Sequence, residues 1–347
     1  MDATYILPIC RDHPEDLGTL PGYLYWLSHH IEVLVVDASA ADVFAHHAKA
    51  WDPHVAHLPP DPDLSTPNGK VGNVLTGVRH ADHEYLIVAD DDIRYDLPAL
   101  RRVVQELHRV HVVRPQNYFQ PLPWHARWDT ARSLLNRLWG GDWPGTLGVR
   151  RSILQATGGY DGAVLFENYE LVQTVLAAGG QEAAPLDLYV RRLPPTARHF
   201  WSQRVRQAYD ELCRPTRCML SLLLLPLLLT LVLQRRWWLV AGGCGVSMLA
   251  AEGGRRRGGG AAIFPASASL LAPAWLMERA LCIWLALACR FLLHGVRYGN
   301  SRLAQAATPR RILRQRFSSP LPALPSIPHR FLSTRHSCAS PPILAKG

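Results

Sequence analysis

From Cys218 onward the chain changes character. Leu220 to Leu233 is almost wholly apolar, Arg235-Arg236 interrupts, and Trp237 to Ala251 is apolar again. A polar, glycine-rich break follows (Glu252 to Gly260), and Ala261 to Val296 is mostly apolar with Glu278 and Arg279 in its middle. A helix needs about 20 apolar residues to cross the hydrocarbon core of a bilayer. The first two runs fall short alone, so a hairpin, tilted helices and partly interfacial helices all stay open. Charge divides near the same place. Residues 1–200 carry 17 Lys and Arg against 24 Asp and Glu, whereas the remainder carries 20 against 4. The acidic front argues against a nucleic-acid-binding surface there, despite the net charge of +9. The basic rear, interleaved with apolar runs, has the composition of a membrane region facing anionic lipid.

The front 200 residues alternate strand-like and helix-like segments, the pattern of a mostly parallel sheet covered by helices. Thr4 to Cys10, Glu32 to Asp37 (EVLVVD) and Glu84 to Ala89 (EYLIVA) read as buried strands. The stretch after Asp96 has Pro98 in its first turn and apolar residues at Leu97, Leu100, Val104 and Leu107, which predicts a helix with one buried face. Val164 to Gly180 reads as a loop entering a helix buried through Leu171, Val172, Val175 and Leu176 and stopped by Gly179-Gly180. Seven cysteines without a CxxC spacing indicate neither a disulfide framework nor a zinc site. The start, MDATYILPIC, lacks a basic segment followed by a long apolar core, so the front domain is expected to stay cytosolic. The basic stretch Ser301 to Gly347 has no clear period and reads as a disordered extension.

The strongest chemical signal is Asp90-Asp91-Asp92, directly after a strand-like run. Ligands collect at the carboxyl ends of parallel strands, and adjacent carboxylates there are costly to bury without a cation. Mg²⁺ or Mn²⁺ bridging Asp90 and Asp92 to a diphosphate resolves that cost. A solvated acidic turn is the bland alternative. Asp37 ends its strand where it can accept hydrogen bonds from a ribose or a base. Lys70 precedes a helical stretch and can reach phosphates near its N-terminus, although a surface lysine is the commoner explanation. The pairs His29-His30 and His46-His47 read as surface histidines. Trp124, Trp128, Trp139 and Trp143 either fill the core or form a sugar-stacking wall, with core filling ahead.

The segments YILPIC, VLVVDAS, NGKVGNVLTGVRHA, YLIVADDDIRYDLPAL, GYDG, FENYEL and WSQRVRQ occur in the order found in family 2 glycosyltransferases. The chain resembles that family over roughly residues 3–212, and is most similar to membrane-bound members such as ceramide glucosyltransferase and the bacterial processive synthases. The resemblance implies an α/β fold of the GT-A type, Rossmann-like, with a mostly parallel sheet, flanking helices and C-terminal membrane helices. It implies a catalytic domain over 1–212, a membrane-associated region over 213–300 and the basic tail over 301–347. The implied reaction is inverting transfer of a sugar from a nucleotide-diphospho-sugar, UDP-linked by expectation, to a lipid, glycan or other membrane-proximal acceptor at the plasma membrane.

Residue by residue, the resemblance assigns Pro8, Asp37, Lys70, Asp90, Gln203 and Arg206 to the donor, and Asp90 with Asp92 to a Mg²⁺ or Mn²⁺ ion. It assigns the general base to the Glu167-Asn168 element. Two positions depart from the family. Asn168 stands where the base is usual, which leaves Glu167, or Glu170 one turn on, to take the proton. Gln207 stands where a tryptophan usually closes the Q-x-x-R-W motif. Two other readings are a processive polysaccharide synthase and an inactive relative that binds a nucleotide sugar as a membrane scaffold. A nucleotidyltransferase is a weaker third, because Arg11-Asp12-His13-Pro14 is not the loop it needs.

Overall fold

The computed structural model describes residues 1–14, 17–299 and 301–317. Its first half is built from β1 (Ala3–Ile9), α1 (Leu20–Ser28), β2 (Glu32–Asp37), α2 (Ala41–His47), β3 (Val55–Leu58), α3 (Gly69–His80) and β4 (Tyr85–Ala89). Then come β5 (Ile93–Arg94), α4 (Leu97–Leu107), β6 (Val112–Val113), β7 (Gln116–Phe119), α5 (Trp124–Leu138), β8 (Thr146–Arg150), α6 (Arg151–Ala156) and α7 (Glu167–Ala177). The domain closes with β9 (Glu182–Ala183), β10 (Tyr189–Arg192), α8 (Ala197–Ser202) and α9 (Arg204–Tyr209). The rear comprises α10 (Pro215–Leu233), α11 (Trp237–Arg256), α12 (Ala266–Ser269), α13 (Ala272–Leu292), β11 (Val296–Tyr298), β12 (Ser301–Leu303) and α14 (Arg310–Arg316).

The main sheet runs in the order β3-β2-β1-β4-β8-β6-β9. β3, β2, β1 and β4 are parallel, and β8 is antiparallel to both its neighbours. Alternation along β1 serves two cores. Tyr5 and Leu7 pack with Leu20, Leu24 and Leu27 of α1 and Leu100, Val103 and Leu107 of α4. Ile6, on the opposite face, packs with Val71, Val74 and Val78 of α3 and Leu171, Val172 and Val175 of α7. The expected helices form where predicted, with two differences in burial. Val103 joins Leu100 and Leu107 as a fully buried residue of α4 while Val104 packs at the edge of the same core, and Leu176 of α7 is exposed rather than buried. Asp96 caps α4 by accepting a hydrogen bond from Ala99 N at 2.8 Å.

The apolar region is continuous with this domain. α11 lies along α5, α13 packs on α5, α9 and α10, and α10 has no buried side chain. Among the described residues, two segments are long and apolar enough to cross a membrane, Pro215–Leu233 and Ala266–Leu292. The expected break over Glu252 to Gly260 falls in its second half, where α11 ends at Arg256 and the chain turns at Gly258 and Gly259, whose φ values are 55° and 70°.

The reading of 301–347 as disordered is corrected over its first part. β11 and β12 form a hairpin that carries the chain back to the catalytic domain. There Leu165 N and Phe166 N donate to the carbonyls of Gln305 and Ala306, Thr308 N donates to Glu170, and α14 rests on α7. Backbone and carboxylate hydrogen bonds, invisible to periodicity, order this segment. Residues 318–347 lie outside the described residues.

At the α11–α5 crossing, a Cβ on Gly254 would meet the Leu134 carbonyl directly. Gly254→Ala is expected to force the helices apart and to cost about 1–3 kcal/mol, read as a lowered thermal midpoint in detergent.

Candidate active site

The order β3-β2-β1-β4 makes the chain switch direction across the sheet between β1 and β4, and a crevice at such a point collects ligands. A cavity of about 730 Å³ opens there. Pro8, Ile9 and Cys10 line it from the end of β1, and Asp90, Asp91 and Asp92 from the end of β4. Lys70 enters from the first turn of α3, Glu167 from the start of α7, and Arg206, Gln207 and Asp210 from α9 and just beyond.

Lys70 Nζ bonds Asp90 Oδ1 and also donates to Glu167 Oε1 at 2.7 Å. Arg192 of β10 bridges the aspartates, with its Nε 2.8 Å from Asp92 Oδ2 and its Nη2 3.4 Å from Asp90 Oδ2. Gly145 makes this approach possible, since a Cβ there would sit 2.6 Å from Asp90 Oδ2. The two aspartates differ in electrostatics. Burial opposes charge on Asp90, but Lys70 and Arg192 overcome it and hold its carboxyl below the ordinary range. On Asp92 burial wins over Arg192, and with the Asp90 charge nearby it pushes the carboxyl up to about 6.

Asp92 Oδ1 is buried with no hydrogen-bond partner. An orphan carboxylate oxygen two residues from a second carboxylate fits a hard divalent ion such as Mg²⁺ or Mn²⁺. No group of three or more His, Cys, Asp or Glu side chains that could hold a metal occurs among the described residues. Asp90 and Asp92 would therefore be its protein ligands, and donor phosphate and water the remainder.

Of the other sequence-derived candidates, Pro8 and Arg206 line the cavity. Asp37 does not. Its carboxylate is fully buried behind the wall, accepting from Ser39 N at 2.9 Å with His47 Nδ1 at 2.7 Å and His57 Nε2 at 3.1 Å. Burial disfavours its charge, yet the bonds from His57, Ser39 and His47 prevail and keep it below the ordinary carboxylate range. The expected surface histidine His47 is thus a buried partner of Asp37. Gln203 also falls outside the cavity lining. It sits one turn before Arg206 and Gln207, with Nε2 3.3 Å from Ser202 Oγ. Glu170 is fully buried and turned from the cavity to accept from Thr308 N at 2.7 Å. Asn168 Nδ2 donates to the Pro144 carbonyl at 3.0 Å. Of the four tryptophans, Trp143 packs against the core between α3 and α7. Trp124 and Trp139 are exposed, Trp128 donates to Glu278, and Trp143 lines the cavity against Phe166 and Tyr169.

Several cavity residues carried no local signal. Arg192 lies in a short strand far from the aspartates in sequence. Tyr298 comes from the hairpin after α13, with the Arg206 guanidinium 5.3 Å from its ring centre. Asp210 follows the Q-x-x-R segment, and burial pushes its carboxyl up to about 7 against the pull of Arg206 and Arg214. Only the return of distant segments to one crevice reveals these three.

Residues 27–156 match the family model described as Glycosyl transferase family 2. No curated protein matches the sequence. Among solved structures, the mannosyltransferase PcManGT from Pyrobaculum calidifontis, in complex with GDP-Man and Mn²⁺, is 18% identical with a TM-score of 0.50, over 82% of this chain and 87% of that one. TarS 1–349 of S. aureus, in complex with UDP-GlcNAc, is 14% identical with a TM-score of 0.42, over 58% of this chain and 61% of that one. The fold is the GT-A type expected from the sequence, a mostly parallel α/β sheet with flanking helices, followed by two apolar helices.

Asp210 yields a pH prediction. Its folded value of about 7 lies above the ordinary 3.8, so its stabilisation is complete below 3.8 and is lost as pH rises through about 7. Asp210→Asn cannot lose a proton there. Relative to its value below pH 3.8, its thermal midpoint should gain on wild type increasingly between about pH 4 and pH 7, with little further gain above.

Proposed function

We propose that this chain, whose front domain belongs to Glycosyl transferase family 2, is an inverting glycosyltransferase that moves a sugar from a nucleotide-diphospho-sugar to a membrane-proximal acceptor. The observation that carries this reading is the meeting of Asp90, Asp92, Lys70 and Glu167 in one cavity at the β1/β4 switch point. Asp90 and Asp92 take the metal-facing position, and Lys70 and Arg206 supply charge for the donor diphosphate. A divalent ion, when bound, adds positive charge at the leaving phosphates.

Glu167 is assigned as the base rather than Glu170, which is buried against Thr308. Glu167 accepts the proton of an acceptor hydroxyl, the hydroxyl oxygen bonds to the anomeric carbon, and the bond from that carbon to the diphosphate oxygen breaks. The nucleoside diphosphate leaves with the electron pair, and the configuration inverts. Lys70 holds Glu167 in the structure, and a diphosphate arriving beside Lys70 competes for that lysine and frees the carboxylate. Asp37 acts from behind the wall at the end of β2, and Gln203, whose Oε1 has no hydrogen-bond partner, stays assigned to the donor from the turn before Arg206.

The acceptor is assigned to a lipid because the apolar helices adjoin the cavity-bearing domain. α10 exposes Leu220, Leu223, Leu227, Leu229 and Leu233, and α11 begins with exposed Trp237 and Trp238 beside Arg235-Arg236, the composition of a bilayer interface. The catalytic domain is placed on the cytosolic face of the plasma membrane. Alkaline carbonate washing tests the membrane insertion on which this placement depends: the protein should stay with the membrane pellet, and its release would sink the insertion.

Nucleoside diphosphate release tests the reaction, with detergent-purified protein, a panel of nucleotide sugars, Mg²⁺ or Mn²⁺ and a lipid extract. One donor should turn over only with metal, and Glu167→Gln should lower turnover by about 10²-fold or more, with Asp92→Ala falling at least as far. Nucleotide-sugar binding without any turnover would favour the inactive scaffold instead.

A further inference from the structure

One cation of the cavity is held by a ring instead of a carboxylate. Lys70 is tied to Asp90 and Glu167, Arg192 to Asp90 and Asp92, and Arg214 to Glu211. Arg206 also lines the cavity, but among the described residues its guanidinium enters no hydrogen bond or ion pair. Asp90 and Asp210 feel its charge, and its described contact is the Tyr298 ring, whose centre lies 5.3 Å from the guanidinium carbon. That spacing is within the roughly 6 Å over which a ring face attracts a cation. Burial, with the charge of Glu167 adding to it, pushes the Tyr298 hydroxyl up to about 12, so the ring keeps its proton.

Two fastenings keep the ring beside the arginine. Arg206 lies in α9, and Tyr209 at the end of the same helix donates to the Ala304 carbonyl at 2.5 Å. Arg290 of α13 donates to that carbonyl as well, at 2.7 Å. Tyr298 ends β11 and pairs with Ser301 of β12, the strand that leads directly into Ala304. The hairpin is thus pinned to α9 one turn from Arg206. A ring contact restrains the guanidinium through its face and spends none of its five N–H donors, which stay free for the oxygens of a diphosphate. A carboxylate in the same place would compete with the phosphates for those donors. With no restraint at all, the long side chain would lose its rotamer freedom only when the donor arrives, and that loss weakens binding.

We propose that Tyr298 is a positioning residue for the donor diphosphate, its ring face holding the Arg206 guanidinium in the cavity with the hydrogen-bond donors unspent. This rests on the assignment of Arg206 to the donor and adds the residue that readies it, supplied by the segment beyond α13. The role belongs to the ring face and not to the hydroxyl.

The experiment measures binding of UDP and GDP to the full chain in neutral detergent with Mn²⁺. Position 298 carries tyrosine, phenylalanine, monofluorinated phenylalanine or trifluorinated phenylalanine, each with Arg206 intact and with Arg206→Gln. The series keeps the ring close to its native shape, and so its packing beside Leu165 and Tyr209, while fluorine drains electron density from the ring face. Tyr298→Phe should bind the preferred nucleotide within about two-fold of wild type, and trifluorination should weaken binding by about a further five-fold. In the Arg206→Gln background the series should be flat. Equal affinity across the fluorinated series overturns the proposal, and so does a decline that persists in Arg206→Gln. A loss of about five-fold or more in Tyr298→Phe, with no further loss on fluorination, assigns the role to the hydroxyl and overturns it too. Failure of wild type to bind either nucleotide overturns the proposal together with the donor reading. Binding that follows the series without any sugar turnover upholds the proposal and counts against the transferase reading alone.

Discussion

Lys70 holds together three parts of the molecule that have no other reason to meet. Its ammonium joins Asp90 at the end of β4 to Glu167 at the start of α7, and it does so from the first turn of α3. Two carboxylates converging in a half-buried crevice repel, and a cation between them converts that repulsion into a tie. Burial alone would discharge the lysine, but Asp90 and Glu167 more than offset it and raise its proton affinity well above the ordinary level. Arg192 repeats the device on the other side by bridging Asp90 and Asp92. The acidic end of β4 is thereby tethered to α3, α7 and β10 at once.

A second polar network joins the catalytic domain to the apolar helices. Asp129 of α5 binds Arg132 and Arg204, while Asp142 takes Arg132, Ser133 and Asn136. Glu278 of α13 receives Trp128 and lies 3.7 Å from Arg204. Buried ion pairs of this kind add little net stability, but breaking one partner is costly, so they specify a single arrangement of helices. The consequence is that α13 does not merely anchor the domain. It brings Arg279 into the cavity and, through the hairpin of β11 and β12, Tyr298 as well. The hydrogen bonds from Leu165, Phe166 and Thr308 then fasten the returning segment to both ends of the Glu167 turn.

Much of the front domain was legible because its signals are local. The run EVLVVD forms a strand with the predicted bounds, Asp96 caps the helix it precedes, and the acids of the β4 end face a ligand crevice. Each follows from side-chain periodicity, capping chemistry or the polarity of strand ends, all set by neighbours in the chain. Lys70, Glu167 and Arg206 were legible through the order of motifs. The placements that were not legible share one cause. Asp37, His47 and Gln203 have the chemistry of site residues or surface residues, but which way they point depends on elements distant in sequence. His57 and His47 draw Asp37 inward from β3 and α2.

Composition and spacing along the chain were sufficient to specify the α/β sheet, the acid-ended strands and the apolar rear, because burial of apolar side chains and the geometry of strand ends act locally. What faces the cavity was settled by folding. Glu167 stands in it while Glu170, one turn on, does not, because Thr308 returns from beyond α13 to take the second carboxylate. Tyr298 and Arg279 arrive in the same way. An ion pair or a hydrogen bond between segments more than a hundred residues apart leaves no period in the sequence, and its partners are known only once packing has brought them within 3 Å or so of each other.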